Sequence, residues 1–120
     1  MRYESLTRVE SAASPGVAYV VKRMSFARRV ELMQGVRGLA QRAEFLEAGG
    51  AGERMEAALV WAEIDRLYLR WGLAEVRGLE IDGEGATPES LAAAGPEELF
   101  REALAAVKGQ IGLTDAEIKN

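Results

Sequence analysis

The stretch Glu53–Trp71, ERMEAALVWAEIDRLYLRW, decides the fold. Its apolar residues recur at helical spacing, so it reads as a helix, but they form two faces rather than one. Met55, Ala58, Leu59, Ala62 and Leu69 make the first face. Val60, Trp61, Ile64, Leu67, Tyr68 and Trp71, with Ala57, make the second. Arg54, Glu56, Glu63, Asp65, Arg66 and Arg70 fill the seams between them. A helix with two apolar stripes is covered on two sides, so one side needs a neighbour helix and the other a further layer.

The neighbour lies upstream. Ser25 sits where an N-cap belongs, and its hydroxyl suits an orphan backbone N–H of a helix running from about Phe26 to Glu47. On a helical wheel Phe26, Val30, Leu32, Met33, Val36, Leu39, Ala40, Ala43 and Leu46 share one side. Glu31, Gln34, Arg37, Gln41, Arg42 and Glu44 lie on the other side or at its margins. Gly35 and Gly38 fall on the polar side and cost roughly 1 kcal/mol each relative to Ala, so this helix depends on packing. The short loop Ala48-Gly49-Gly50-Ala51-Gly52 implies an antiparallel helical hairpin.

Outside the hairpin the chain is built from short pieces. Met1–Gly16 reads as an irregular N-terminal arm, because Ser11-Ala-Ala-Ser-Pro-Gly16 is turn material. Val17–Arg23, VAYVVKR, reads as a strand. Gly72 is placed to close the second helix at C′. Leu73–Ile81 supplies extended segments that pair with Val17–Arg23, and Asp82-Gly83 is a turn signal. Thr87-Pro88-Glu89 opens a short helix stopped by Ala94-Gly95. Pro96-Glu97-Glu98 opens another, to about Lys108, with Leu99, Phe100, Ala103, Leu104 and Val107 on its apolar side, extended by Ile111. Thr114-Asp-Ala-Glu117 has the spacing of a capping box. The expected fold is mainly α (α+β): an antiparallel helical hairpin with a small two-stranded β element and C-terminal helices packed against it. Residues 17–120 form a single helical domain after the arm 1–16.

Composition narrows the chemistry. The 120 residues include neither Cys nor His. Disulfides, thiolate nucleophiles, Cys-bound zinc and every Ser-His or Cys-His pair are thereby excluded. Glu80-Ile-Asp82-Gly-Glu84-Gly85 resembles part of a calcium loop, but its twelfth position is Leu91 rather than Glu. Gly78–Gly85 lacks the spacing of a phosphate loop. Of the carboxylate pairs, Glu97 and Glu98 answer to a helix dipole, while Glu63 and Asp65 point to different seams. No catalytic, metal or cofactor residue is expected, and the protein reads as a non-enzyme that works by binding. The longest uncharged run, between Glu10 and Lys22, is too short to span a membrane, and the N-terminus lacks an apolar signal core, so a cytoplasmic location and no membrane partner are expected.

Charge is divided along the chain, with formal net charge −4. Lys22, Arg23, Arg28, Arg29, Arg37 and Arg42 face a single acid, Glu31, in their stretch, whereas Glu75–Glu102 is strongly acidic. Either the two ends attract one another and stay solvated, or the field serves head-to-tail self-association or a complementary partner. A nucleic-acid module using Arg23, Arg28, Arg29, Arg37 and Arg42 is disfavoured, because the stretch lacks interleaved surface aromatics and the chain is acidic.

The candidate partner-binding residues are Trp61, Ile64, Leu67, Tyr68 and Trp71, one stripe of the second helix, together with Arg28 and Arg29. Large aromatics anchor cores as well as interfaces, so both readings stand for the stripe. Arg29, within the apolar arc of its helix, either snorkels to the helix end or pairs with an acid of the C-terminal half or of a neighbour.

A family resemblance is carried by Arg23-Met-Ser-Phe-Ala-Arg-Arg-Val-Glu-Leu32 and by the later runs Trp71-Gly-Leu, Gly78-Leu-Glu-Ile-Asp-Gly83, Ala86-Thr-Pro-Glu89 and Gly95-Pro-Glu-Glu-Leu99. Across roughly Val17–Asn120 the chain resembles tail assembly chaperones of long-tailed phages and prophages. The resemblance implies a non-enzymatic, mostly helical protein of the bacterial host cytoplasm that oligomerises, without catalytic residues. It further implies binding to helical segments of the tape-measure protein and recruitment of tail-tube subunits. The rival expectations are a structural particle component, such as a head–tail connector or tail-completion protein, and the small regulatory nucleic-acid-binding module.

Overall fold

The computed structural model describes residues 1–112. The Thr114–Glu117 capping box lies outside the described residues. The chain runs β1 (Leu6–Glu10), β2 (Ala18–Lys22), α1 (Phe26–Glu47), α2 (Ala51–Gly72), β3 (Leu73–Arg77), β4 (Glu80–Ile81), β5 (Glu84–Gly85), α3 (Pro88–Ala94) and α4 (Glu97–Ile111). The fold is mainly α with a small sheet, as the sequence leads one to expect.

α1 begins where Ser25 stands in extended backbone and its side chain accepts the Arg28 N–H at 3.3 Å. α1 and α2 then pack as an antiparallel hairpin. Arg42 meets Glu56 at 2.7 Å, and Leu67 faces Gly35, where a Cβ would sit 3.5 Å from it. Gly35 therefore belongs to the helix–helix contact rather than to a solvated polar side. The wheel of α1 is only partly honoured. Leu32, Ala43 and Leu46 are buried, whereas Phe26, Val30 and Met33 are exposed.

Gly72 corrects another expectation. It is the last residue of α2, not a left-handed cap, and the backbone passes straight into β3 at Leu73. A Cβ at Gly72 would collide with the Val107 side chain. Glycine is needed here for close approach of α4, not for a turn.

The arm is not irregular throughout. Leu6–Glu10 is a strand pairing antiparallel with β2, Val9 opposite Tyr19, and β2 pairs antiparallel with β3, Tyr19 opposite Val76. The sheet is thus three-stranded in the order β1-β2-β3. Its central strand is buried on both faces from Ala18 to Val21. Tyr19 and Val21 join the hydrophobic core, with α4 packed against the strand. On the other face, Val20 lies between Arg8 and Glu75 and Ala18 between Glu10 and Arg77. The ion pairs Arg8–Glu10, at 2.7 Å, and Arg77–Glu75, at 2.9 Å, flank Ala18 and Val20 on the neighbouring strands. An edge strand bearing charges closes the face without inviting further strands.

The remaining elements follow their local chemistry. Ile81 and Glu84 pair across Asp82-Gly83, both at positive φ, 53° and 83°, as a two-residue hairpin turn requires. Gly78, also at positive φ, lies against the Gly16 carbonyl, where a side chain would not fit. Thr87 and Ser90 form a reciprocal capping box at α3. α4 buries Leu99, Ala103, Leu104, Val107 and Ile111, and Phe100 is half-buried. The molecule is flat, 44 × 40 × 20 Å. Among the described residues no helix is long and apolar enough to cross a membrane.

Candidate functional site

The aromatic stripe of α2 turns inward. Ile64 is 1% exposed and Tyr68 4%, and both belong to the core cluster. Burial, with Asp65 adding its charge, pushes the Tyr68 hydroxyl pKa up. These two are therefore core and not a contact surface, because α4 crosses the base of the hairpin and covers them. Lys108 of α4 reaches Asp65 at 3.4 Å and stands 5.9 Å from the Tyr68 ring.

The other stripe residues are half-buried and held. Trp61 donates through Nε1 to Glu47 at 2.5 Å, tying α2 to the end of α1. Leu67 packs toward Gly35. Trp71 lies under the Arg28 guanidinium, 4.0 Å from the ring centroid, and its carbonyl accepts a hydrogen bond from the same guanidinium. Arg28 Nε and Trp71 Nε1 are buried without an acceptor, so the stack and the single bond to the Trp71 carbonyl together hold this pair. Arg29 donates to the Ile111 carbonyl at 3.2 Å. Among the described residues it pairs with no acid; it satisfies an orphan carbonyl at the end of α4. Both arginines bolt the hairpin to its own domain. Among the described residues no ion pair joins the basic stretch 22–42 to the acidic stretch 75–102.

What stands uncovered is most of the other face of α2. On α2, Met55 is 75% exposed and Leu59 67%, and Ala58 and Ala62 are exposed beside them. At roughly 100° per residue these four share one arc on the far side of the helix from Val60 and Leu67. Leu69 continues the face but is fully buried, because α4 covers that end alone. On α1, Phe26, Val30 and Met33 form a second stripe at i, i+4 and i+7, and Phe45 projects near the tip of the hairpin. The hairpin thus carries apolar residues along both outer edges as well as between its helices.

Two depressions lie on this part of the molecule, one between the helices and one at the foot of the α2 stripe. A shallow groove of about 800 Å³ runs between α1 and α2 over Leu32, Gly35, Leu39, Leu67 and Trp71, with Glu31, Glu63, Arg66, Arg70 and Glu89 at its rim. A smaller cavity of about 250 Å³ lies at the foot of the α2 stripe, where Ala62 meets Leu91, Ala92 and Phe100.

The most heavily bonded carboxylate is Glu102, which no sequence motif singled out. It accepts from Ser11 Oγ, from the Ala12 and Ala13 amides at 2.9 and 3.0 Å, and from the Tyr19 hydroxyl at 2.7 Å. Burial acts to raise the Glu102 pKa, but Ser11, Tyr19 and the two amides outweigh it and hold it below the usual carboxylate value. Burial and the same bond push the Tyr19 pKa up to about 12. With so many donors committed to the β1–β2 loop, this carboxylate is a clamp between loop and α4. Among the described residues no group of three or more Asp or Glu side chains is arranged to hold a metal.

No protein-family profile, curated protein or solved structure matches the chain.

Proposed function

We propose that this protein is a non-enzymatic docking module that holds helical segments of other proteins. Within that class we propose a phage tail assembly chaperone, binding helical segments of the tape-measure protein and tail-tube subunits in the bacterial cytoplasm and self-associating. The observation that supports docking is the uncovered stripe Phe26–Val30–Met33 on a helix anchored at its base. Its spacing fits the apolar face of a partner helix. Arg23 and Arg37 stand exposed near it, so the fitting helix is apolar on one face and acidic at its margins. The tail-assembly assignment rests on the resemblance of Arg23–Leu32 and of the runs between Trp71 and Leu99.

The test is binding of helical segments of a phage tape-measure protein to the purified protein. Expected is saturable binding that Met33→Asp weakens at least tenfold while circular dichroism stays unchanged. Equal binding by the variant and the wild type would sink the assignment of the stripe. The structural-component reading is separated by mass spectrometry of purified particles, in which a chaperone is absent and a connector present. Retention on DNA at low salt, lost as salt rises, would instead favour the regulatory module.

A further inference from the structure

The exposed stripe Phe26, Val30 and Met33 has a segment of its own chain leaving beside it. α4 ends at Ile111, whose side chain is buried and whose carbonyl accepts from Arg29 at 3.2 Å. Arg29 stands three residues after Phe26 and four before Met33, so it is their neighbour on the α1 surface. Gly112, at a positive φ of 77°, then turns the backbone away from the α4 axis. Residues 113–120, LTDAEIKN, therefore start at the margin of the stripe.

Their length and chemistry suit it. Phe26 and Met33 lie about 10 Å apart along α1, and the run Leu113–Ile118 spans about 9 Å even when helical. Thr114 and Glu117 have the spacing of a capping box, and Leu113 and Ile118 hold the N′ and N4 positions of a hydrophobic staple. That pattern gathers two large apolar side chains on one side of a single turn. A single turn is not stable in water by itself, so it needs an apolar surface to form on. Asp115 and Glu117, against the one base Lys119, complement Arg23, Arg29 and Arg37 around the stripe. Among the described residues none of these three arginines makes an ion pair.

We infer that residues 113–120 fold back over the Phe26–Val30–Met33 stripe and occupy it in competition with a partner helix, a self-inhibitory contact at the docking site. This rests on the proposed reading of that stripe as the docking surface. The segment has the character that the stripe selects in a partner, apolar on one side and acidic at its margins. Carried on the same chain, it acts at a high effective concentration, so even a weak contact lowers the fraction of open stripe.

The absence of Cys allows a direct test in the full chain. Met33→Cys with Ile118→Cys should form a disulfide within one chain under mild oxidation. It should form at least tenfold faster than the disulfide of Arg70→Cys with Ile118→Cys, whose first site is exposed at the same base of the hairpin. Equal rates, or a disulfide only between chains, overturn the proposal. The second measurement uses tape-measure helix peptides. Leu113→Asp/Ile118→Asp should bind them about three- to tenfold more tightly than wild type, with circular dichroism unchanged, because the competing occupant is removed. Unchanged or weaker binding overturns the competition. The disulfide is read without any partner, so a failure of peptide binding at Met33 strikes the docking assignment, and the cross-link alone then decides the fold-back contact.

Discussion

The two ends of α2 carry apolar residues at similar density and meet opposite fates. Toward the C-terminus, Ile64, Tyr68 and Leu69 are covered on both sides, by α1 and by α4. Toward the N-terminus, Ala57 and Val60 are buried against α1, but Met55 and Leu59 on the other side are largely exposed. The difference teaches that an apolar stripe specifies a need for cover, while the identity of the cover is set by which element reaches it. α4 is 15 residues long, about 22 Å, and it lies across the base of the hairpin only.

This contrast can be broken experimentally at several depths. The largest effect belongs to the base. Ile64→Ala should cost about 2–5 kcal/mol in denaturant unfolding, from lost transfer energy plus a cavity in a site that cannot collapse. A cost below 1 kcal/mol would mean that the base is no better packed than the tip. Gly72→Ala comes next, at about 1–3 kcal/mol, because the new methyl meets Val107. Adding Val107→Ala should recover part of that loss, and failure to do so would place the strain elsewhere.

Glu102→Gln tests the clamp between the β1–β2 loop and α4, at about 1–3 kcal/mol for donors left poorly matched. Its pH dependence has two arms. The folded pKa of Glu102 lies below its ordinary 4.5, so its contribution is present above that value and is lost as pH falls through the lowered one. The folded pKa of Tyr19 lies at about 12, above its ordinary 10.0, so its contribution is full below pH 10 and is lost as pH rises toward 12. Unfolding midpoints measured across pH should show the acid arm flattened in Glu102→Gln. The smallest effect on stability belongs to the tip: Leu59→Ser should change unfolding by no more than about 0.5 kcal/mol. A loss near that of Ile64→Ala would show that Leu59 has cover within its own chain.

Much of the fold is legible locally. Ser25 and the wheel that follows it bound α1, Asp82-Gly83 makes the β4–β5 turn, and Thr87-Pro88 starts α3, each through chemistry confined to a few residues. β1 escaped that reading because Leu6–Glu10 is charged and flanked by turn residues. It is a strand because β2 offers it a paired edge and because Glu102, far along the chain, fastens the loop that joins them. Which of the two readings holds along the aromatic stripe was not legible for the same reason: Ile64 and Tyr68 are core, while Trp61, Leu67 and Trp71 stay half-buried. Trp61, Tyr68 and Trp71 stand out by size, yet their stripe faces the domain, and the plainer Met55–Ala62 face is the one left open.

The sequence by itself determined the helices, the caps at Ser25 and Thr87, the Asp82-Gly83 turn, the two-faced nature of α2 and the absence of thiol and imidazole chemistry. These depend on side-chain type and on spacing within a few turns. Only the tertiary structure decided which face of α2 is core, why Gly72 must lack a side chain, and what Arg28, Arg29 and Glu102 hold. Those outcomes depend on contacts between residues tens of positions apart, and a helix's apolar pattern does not encode how far a distant helix extends along it.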